Sequence, residues 1–161
     1  MTKWLSAQEE AAWRRYRRMR TVLDLAISRD LRSDSSLSDA DYDVLSTLSE
    51  AAEDSWRAGD LATRLMWSSS RLAHQVGRME RRGLVRRTSS DGDGRGAVVT
   101  LTGAGREVLE AAAPAHVASV RRHLIDLLGQ EDVAALDRIA GTVLRALQPG
   151  EPESDGRVTR H

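Results

Sequence analysis

The 161-residue sequence predicts a mainly α fold: six helices with one small β-hairpin standing off them as a wing. Three observations predict it. Apolar residues recur at spacings of three and four along most of the chain, as one-sided helices require. The stretches with strand character, "LVRRTSS" and "AVVTLT", flank a glycine-rich turn, "DGDGRG". Arginines concentrate between Arg64 and Arg95, where eight oppose three acidic residues, about +5 in a chain of zero net charge.

Length and composition fit one domain, or one domain with helical extensions. Apolar content of 40% permits a core, but with four Trp, two Tyr and no Phe it must be filled by Leu, Val, Ala and Met. The absence of cysteine excludes disulfides and thiolate metal sites. No apolar run approaches the length of a membrane span. The opening "MTKWLSAQEEAAWRR" lacks the apolar stretch of a secretory signal, so a cytoplasmic protein without membrane partners is expected.

The first helix begins at a capping box, Ser6 with Glu9. Trp13, Tyr16, Met19, Leu23 and Ile27 give it one apolar face, and Arg14, Arg15, Arg17 and Arg18 lie on its solvated side. A polar stretch follows, then a second helix capped by Ser38, with Asp39 and Asp41 in its positive first turn. Tyr42, Leu45 and Leu48 are its inward side. A short strand is expected around Arg57, and a short third helix from about Asp60 to Met66, set off by Gly59.

The fourth helix, within "WSSSRLAHQVGRMERRGL", is capped by Ser68 or Ser69 and ended by Gly83. Leu72, Val76 and Met79 form the stripe that faces a core. Ser70, His74, Arg78 and Arg81 project from the opposite side, flanked by Arg71 and Gln75. After the hairpin, a fifth helix starts near Thr102 and runs through Pro114, with Val117, Val120, Leu124 and Leu127 on its stripe. A sixth, "QEDVAALDRIAGTVLRAL", turns Val133, Leu136, Ala140, Val143 and Leu147 inward. The polar tail, residues 149–161, is expected to be disordered.

Short helix, turn, capped basic helix, strand, glycine-rich tip, strand: this is the plan of a winged helix-turn-helix. Each part suits double-stranded DNA. A helix fits the major groove, where base edges present a readable donor and acceptor pattern. Small serines at its start let the backbone approach phosphates. Arg71 and Arg78 can fork onto guanine or phosphate, Gln75 can pair with adenine, and Ser70 and His74 can reach base edges. Ser68, Ser69, Arg64 and Arg86 are placed to hold phosphates. Arg95, at the wing tip, can enter the narrow minor groove.

At "LATRLMWSSSRLAHQVGRMERRGLVRR" and "DGDGRGAVVTLTGAGREVLE" the chain resembles the MarR family of bacterial transcription regulators, and the likeness extends over roughly residues 4–147. The resemblance implies an obligate homodimer held by residues 1–32 and 103–148, with residues 33–102 as the DNA-binding lobe. It implies that Arg95 is the minor-groove residue and that Asp93 steadies the wing by pairing with a nearby arginine, Arg86 or Arg87. It also implies a crevice between dimer helices and lobe that takes a small, often aromatic effector. Two-fold packing of the first and last helices would space two basic helices about 10 bp apart on a pseudo-palindromic site.

Other readings have less behind them. No nucleophile motif, phosphate loop or metal-ligand set is present, and Ser70 beside His74 lacks an acid to orient the imidazole, so neither an enzyme nor a cofactor is expected. His116 and His123 are seven apart, too far for a metal pair at i, i+4. The alternatives are an architectural DNA-binding protein without sequence preference, or a small-molecule-binding dimer that has lost its DNA role.

Overall fold

A computed structural model describes residues 2–51, 53–89 and 96–148. In chain order these form α1 (Ala7–Asp34), α2 (Asp39–Ser49), β1 (Ser55–Arg57), α3 (Ala58–Arg64), α4 (Ser69–Arg81), β2 (Val85–Ser89), β3 (Ala97–Leu101), α5 (Gly103–His123), a 3-10 turn (Ile125–Leu127) and α6 (Gln130–Leu147). The expected tail and the wing-tip residues Asp93 and Arg95 lie outside the described residues.

The helices start where hydroxyl side chains can cap them. Ser6 and Ser38 each accept from the third residue of their helix, and Glu9 and Asp41 reach back to the cap backbone. Thr102 caps α5 by accepting from Gly105 N–H, and its own hydroxyl lies 2.7 Å from the Gly83 carbonyl. The sheet is antiparallel, ordered β1-β3-β2, with Val99 of β3 paired to Trp56 on one side and Arg87 on the other.

The core is gathered in the lobe. Leu45 and Leu48 of α2, Leu61 of α3, Leu72, Val76 and Met79 of α4, and Val99 of β3 are buried together. That core does not stop at residue 102: Leu109 and Ala112 of α5 belong to it. Gly105 allows the close approach, because a Cβ there would stand 2.0 Å from the Leu84 carbonyl oxygen.

Outside the lobe the picture reverses. α1 buries only Leu31, and no residue of α6 is buried. Trp13, Tyr16 and Met19 of α1 and Val143, Leu144 and Leu147 of α6 are exposed, although they occupy apolar stripes. α1 is tied to α5 at one polar point: Asp30 accepts from Ser119 (2.8 Å), Arg122 (2.6 Å) and His123 (2.8 Å). Arg122, then His123, then Ser119 hold the Asp30 carboxyl well below the usual carboxylate range.

Two elements differ from expectation. Gly59 does not break α3 but sits in its first turn, with open space where a Cβ would stand. α5 ends at His123, short of the Leu124 and Leu127 expected on its stripe, because Leu124 leaves the helical region at φ −137° and the short 3-10 turn leads into α6.

Candidate nucleic-acid interface

The connection from α3 to α4 is set by one backbone angle. Met66 takes a left-handed φ of 54°, which lets Met66 N–H reach the Thr63 carbonyl (3.0 Å) and Trp67 N–H the Ala62 carbonyl (2.8 Å). This is the paired hydrogen-bond ending usually built on glycine. It turns the chain so that Ser68 caps α4, accepting from Arg71 N–H at 3.2 Å. At its far end α4 closes the same way on Gly83, φ 74°, with Gly83 N–H to Glu80 and Leu84 N–H to Met79. Both ends of the basic helix are therefore fixed relative to the core.

Leu72, Val76 and Met79 root α4 as expected, each 2% exposed or less. The opposite face carries Ser70, Arg71, His74, Arg78 and Arg81, all exposed. The Arg71 guanidinium lies 4.2 Å above the ring of Trp67, which itself rests on the core. That stacking stiffens the side chain while leaving its edge free to donate. Ser69 is exposed beside the Ser68 cap, and Arg86 is exposed on β2. Arg64 is half-buried at the end of α3, 3.9 Å from Glu50.

Gln75 departs from its expected place. It is not on the rim of the outward face but 3% exposed, in the buried stripe with Leu72, Val76 and Met79. Three residues after Leu72 and four before Met79, it shares their side of the helix. Its Nε2 donates to Asp41 Oδ1 at 2.8 Å and its Oε1 accepts from Arg78. A side chain so engaged cannot pair with an adenine edge.

Of the two partners of Gln75, Arg78 is expected from sequence as a contact residue, whereas Asp41 is expected only as a first-turn acid of α2. Asp41 is 4% exposed; its Oδ2 accepts from Ser38 N–H and from Arg82 at 2.8 Å. Burial by itself would raise the Asp41 pKa, but the Ser38 hydrogen bonds and Arg82 outweigh it and hold the carboxyl below its ordinary value. The sequence signal is the position of Gln75 at the edge of the apolar stripe, three residues from Leu72 and four from Met79, where a polar group that turns inward requires a buried partner.

A second feature lies between α1, α2 and α5: a cavity of about 360 Å³ lined by Asp24, Ile27, Ser28, Leu31, Asp39, Tyr42, Asp43 and His116. The rings of Tyr42 and His116 stand 4.2 Å apart. His116 Nδ1 is buried without a partner, and burial lowers the imidazole pKa. Among the described residues no group of three or more potential metal ligands occurs, and no helix is long and apolar enough to cross a membrane.

A basic helix rooted by its apolar face, a tight turn before it and a hairpin after it match known proteins. The MarR family model matches residues 35–96. The crystal structure of AbsC, a MarR family transcriptional regulator from Streptomyces coelicolor, is 42% identical, covers 92% of this chain and 99% of its own, and superposes with a TM-score of 0.85. The chain belongs to the MarR family. Sco3205, a second MarR family regulator from Streptomyces coelicolor, solved in complex with DNA, is 36% identical over 95% of this chain and 96% of its own, with a TM-score of 0.87. CouR from Rhodococcus jostii, solved bound to p-coumaroyl-CoA, shares the fold at 23% identity, covering 84% of this chain and 91% of its own, TM-score 0.68. Comparison with curated proteins gives no match. In this MarR-family chain, α3 and α4 are the helix-turn-helix and β2 and β3 the wing strands.

Proposed function

We propose that this chain is a sequence-specific DNA-binding regulator, a ligand-responsive repressor that binds a pseudo-palindromic operator as a homodimer. The observation that carries the reading is the outward face of α4. Ser70, Arg71, His74 and Arg78 are exposed together on a helix whose other face is anchored in the core. These four read the major groove. Ser68, Ser69, Arg64 and Arg86 hold phosphates, and Arg95, steadied by Asp93, enters the minor groove. Gln75 has no place among them.

The dimer is supported by the exposed stripes of α1 and α6. Trp13 and Tyr16 stack on each other at 5.8 Å with half their surface in solvent, a cost that a two-fold partner removes. The cavity beside Tyr42 and His116 is the effector crevice. Three carboxylates and one imidazole line it, so an aromatic effector bearing a cationic or hydrogen-donating group suits it better than an anionic one. Binding there acts on DNA affinity only insofar as it favours one spacing of the two lobes over another.

Selection of genomic fragments by the purified protein tests the reading. A recovered site should be two-fold related and preferred over random duplex by roughly a thousandfold at physiological salt. Equal affinity for both would make the protein an architectural one. Tight binding of a small molecule with no duplex retained would leave only the effector half of the proposal.

A further inference from the structure

We infer that Asp41 and Gln75 are positioning residues for Arg78: the buried carboxylate, acting through the Gln75 amide, holds the Arg78 guanidinium in one pose on the outward face of α4. The inference rests on α4 being the helix that enters the groove.

A leucine or methionine at position 75 would complete the stripe of Leu72, Val76 and Met79 with no polar group to satisfy. Glutamine at 3% exposure is therefore not explained by packing. Helix capping does not explain it either. Asp41 serves the α2 cap with Oδ2 alone, which accepts from the Ser38 backbone and hydroxyl. Its other oxygen, Oδ1, is directed to Gln75.

The direction of the chain of hydrogen bonds is forced. The Asp41 carboxylate only accepts, so Gln75 must present its NH₂ to it. That turns the Gln75 carbonyl oxygen toward the next turn of α4, where it accepts from Arg78. An arginine on an open helix face samples many rotamers; one bonded to a buried, oriented amide does not. Fixing the fork in advance is what converts a general attraction for phosphate into discrimination between base pairs. The same Asp41 also anchors Arg82, whose second nitrogen donates to the Ser36 carbonyl at 3.0 Å. The pose of Arg78 is thereby tied to the connection between the long helix α1 and the lobe.

The test compares Gln75→Met, Arg78→Ala and the double variant with wild type, on the operator recovered by genomic selection and on that operator altered at one base pair at a time. Gln75→Met keeps the Arg78 charge, so affinity for random duplex and its salt dependence should stay at wild-type values. Preference at one position per half-site should fall roughly tenfold. The double variant should be no less selective than Arg78→Ala alone. Multiplying losses, or an unchanged preference in Gln75→Met, would overturn the inference.

A second readout needs no DNA. By NMR of the free protein, rotation of the Arg78 guanidinium should be restricted in wild type and free in Gln75→Met. Free rotation in both would overturn positioning whatever the protein binds. Restriction in wild type and its loss in the variant, in a protein that retains no duplex, would sustain positioning and sink the proposed function instead. If Gln75→Met does not fold, Gln75→Asn replaces it: the amide stays in the stripe but is one methylene too short to bridge Asp41 and Arg78, and the same outcomes apply.

Discussion

Gly105→Ala probes the joint through which the lobe meets α5. Gly105 lies in the first turn of α5, facing the Leu84 carbonyl across the end of the wing. A Cβ there would stand 2.0 Å from that oxygen, 3.0 Å from its carbon and 2.9 Å from Leu101 Cδ1, where ordinary contact begins at 3.4 Å. The backbone must move by about 1.4 Å, since a carbonyl cannot swing aside as a side-chain end can. The Leu84 oxygen also accepts from Thr102 N–H (3.2 Å) and lies 2.9 Å from the Thr102 hydroxyl that caps α5. Such a shift breaks these contacts. Overpacking costs about 1–3 kcal/mol and loss of the cap about 1 kcal/mol, set against a gain of up to about 1 kcal/mol in helix propensity. The expected net loss is about 2 kcal/mol. Urea denaturation at one fixed protein concentration measures it, because the proposed subunit association would be linked to folding. A loss below about 0.5 kcal/mol, or a gain, would show that α5 does not seat on Leu84 as described.

Three further outcomes are expected. Arg95→Ala should weaken operator binding about tenfold or more while leaving the melting temperature unchanged; equal affinity across a salt series would remove Arg95 from the interface. Met66→Gly should stabilise the fold by about 0.5–1 kcal/mol, because the left-handed angle costs a methionine more than a glycine; a lower melting temperature would refute that account of the turn. His116 has a folded-state pKa depressed by burial, so the unfolded chain binds the proton more readily. Its contribution is complete above the ordinary histidine value near 6.5 and is lost as pH falls below it. Wild-type stability should therefore drop between pH 7 and 5 more steeply than that of His116→Phe, and parallel profiles would contradict the burial of the ring.

Elements with a local cause could be read from the chain directly. Ser6 with Glu9 and Ser38 with Asp41 mark helix starts because a cap needs only residues three apart. Gly83 marks the end of α4 because a left-handed angle is needed there. Met66 meets the same requirement without glycine and gave no such signal. Gly59, expected to set α3 off from what precedes it, lies inside its first turn, where a glycine costs little.

What the sequence determined alone was the order and polarity of the elements: a basic helix with one apolar stripe, a hairpin after it, and long amphipathic helices at each end. Those follow from periodicity and capping, which act over a few residues. The tertiary structure decided which polar side chains on α4 are free. Gln75 and Arg78 differ by 60° around the helix, and periodicity cannot place a residue at the edge of a stripe. Only the approach of α2, bringing a buried carboxylate from 34 positions away, turned the glutamine inward and left the arginine out.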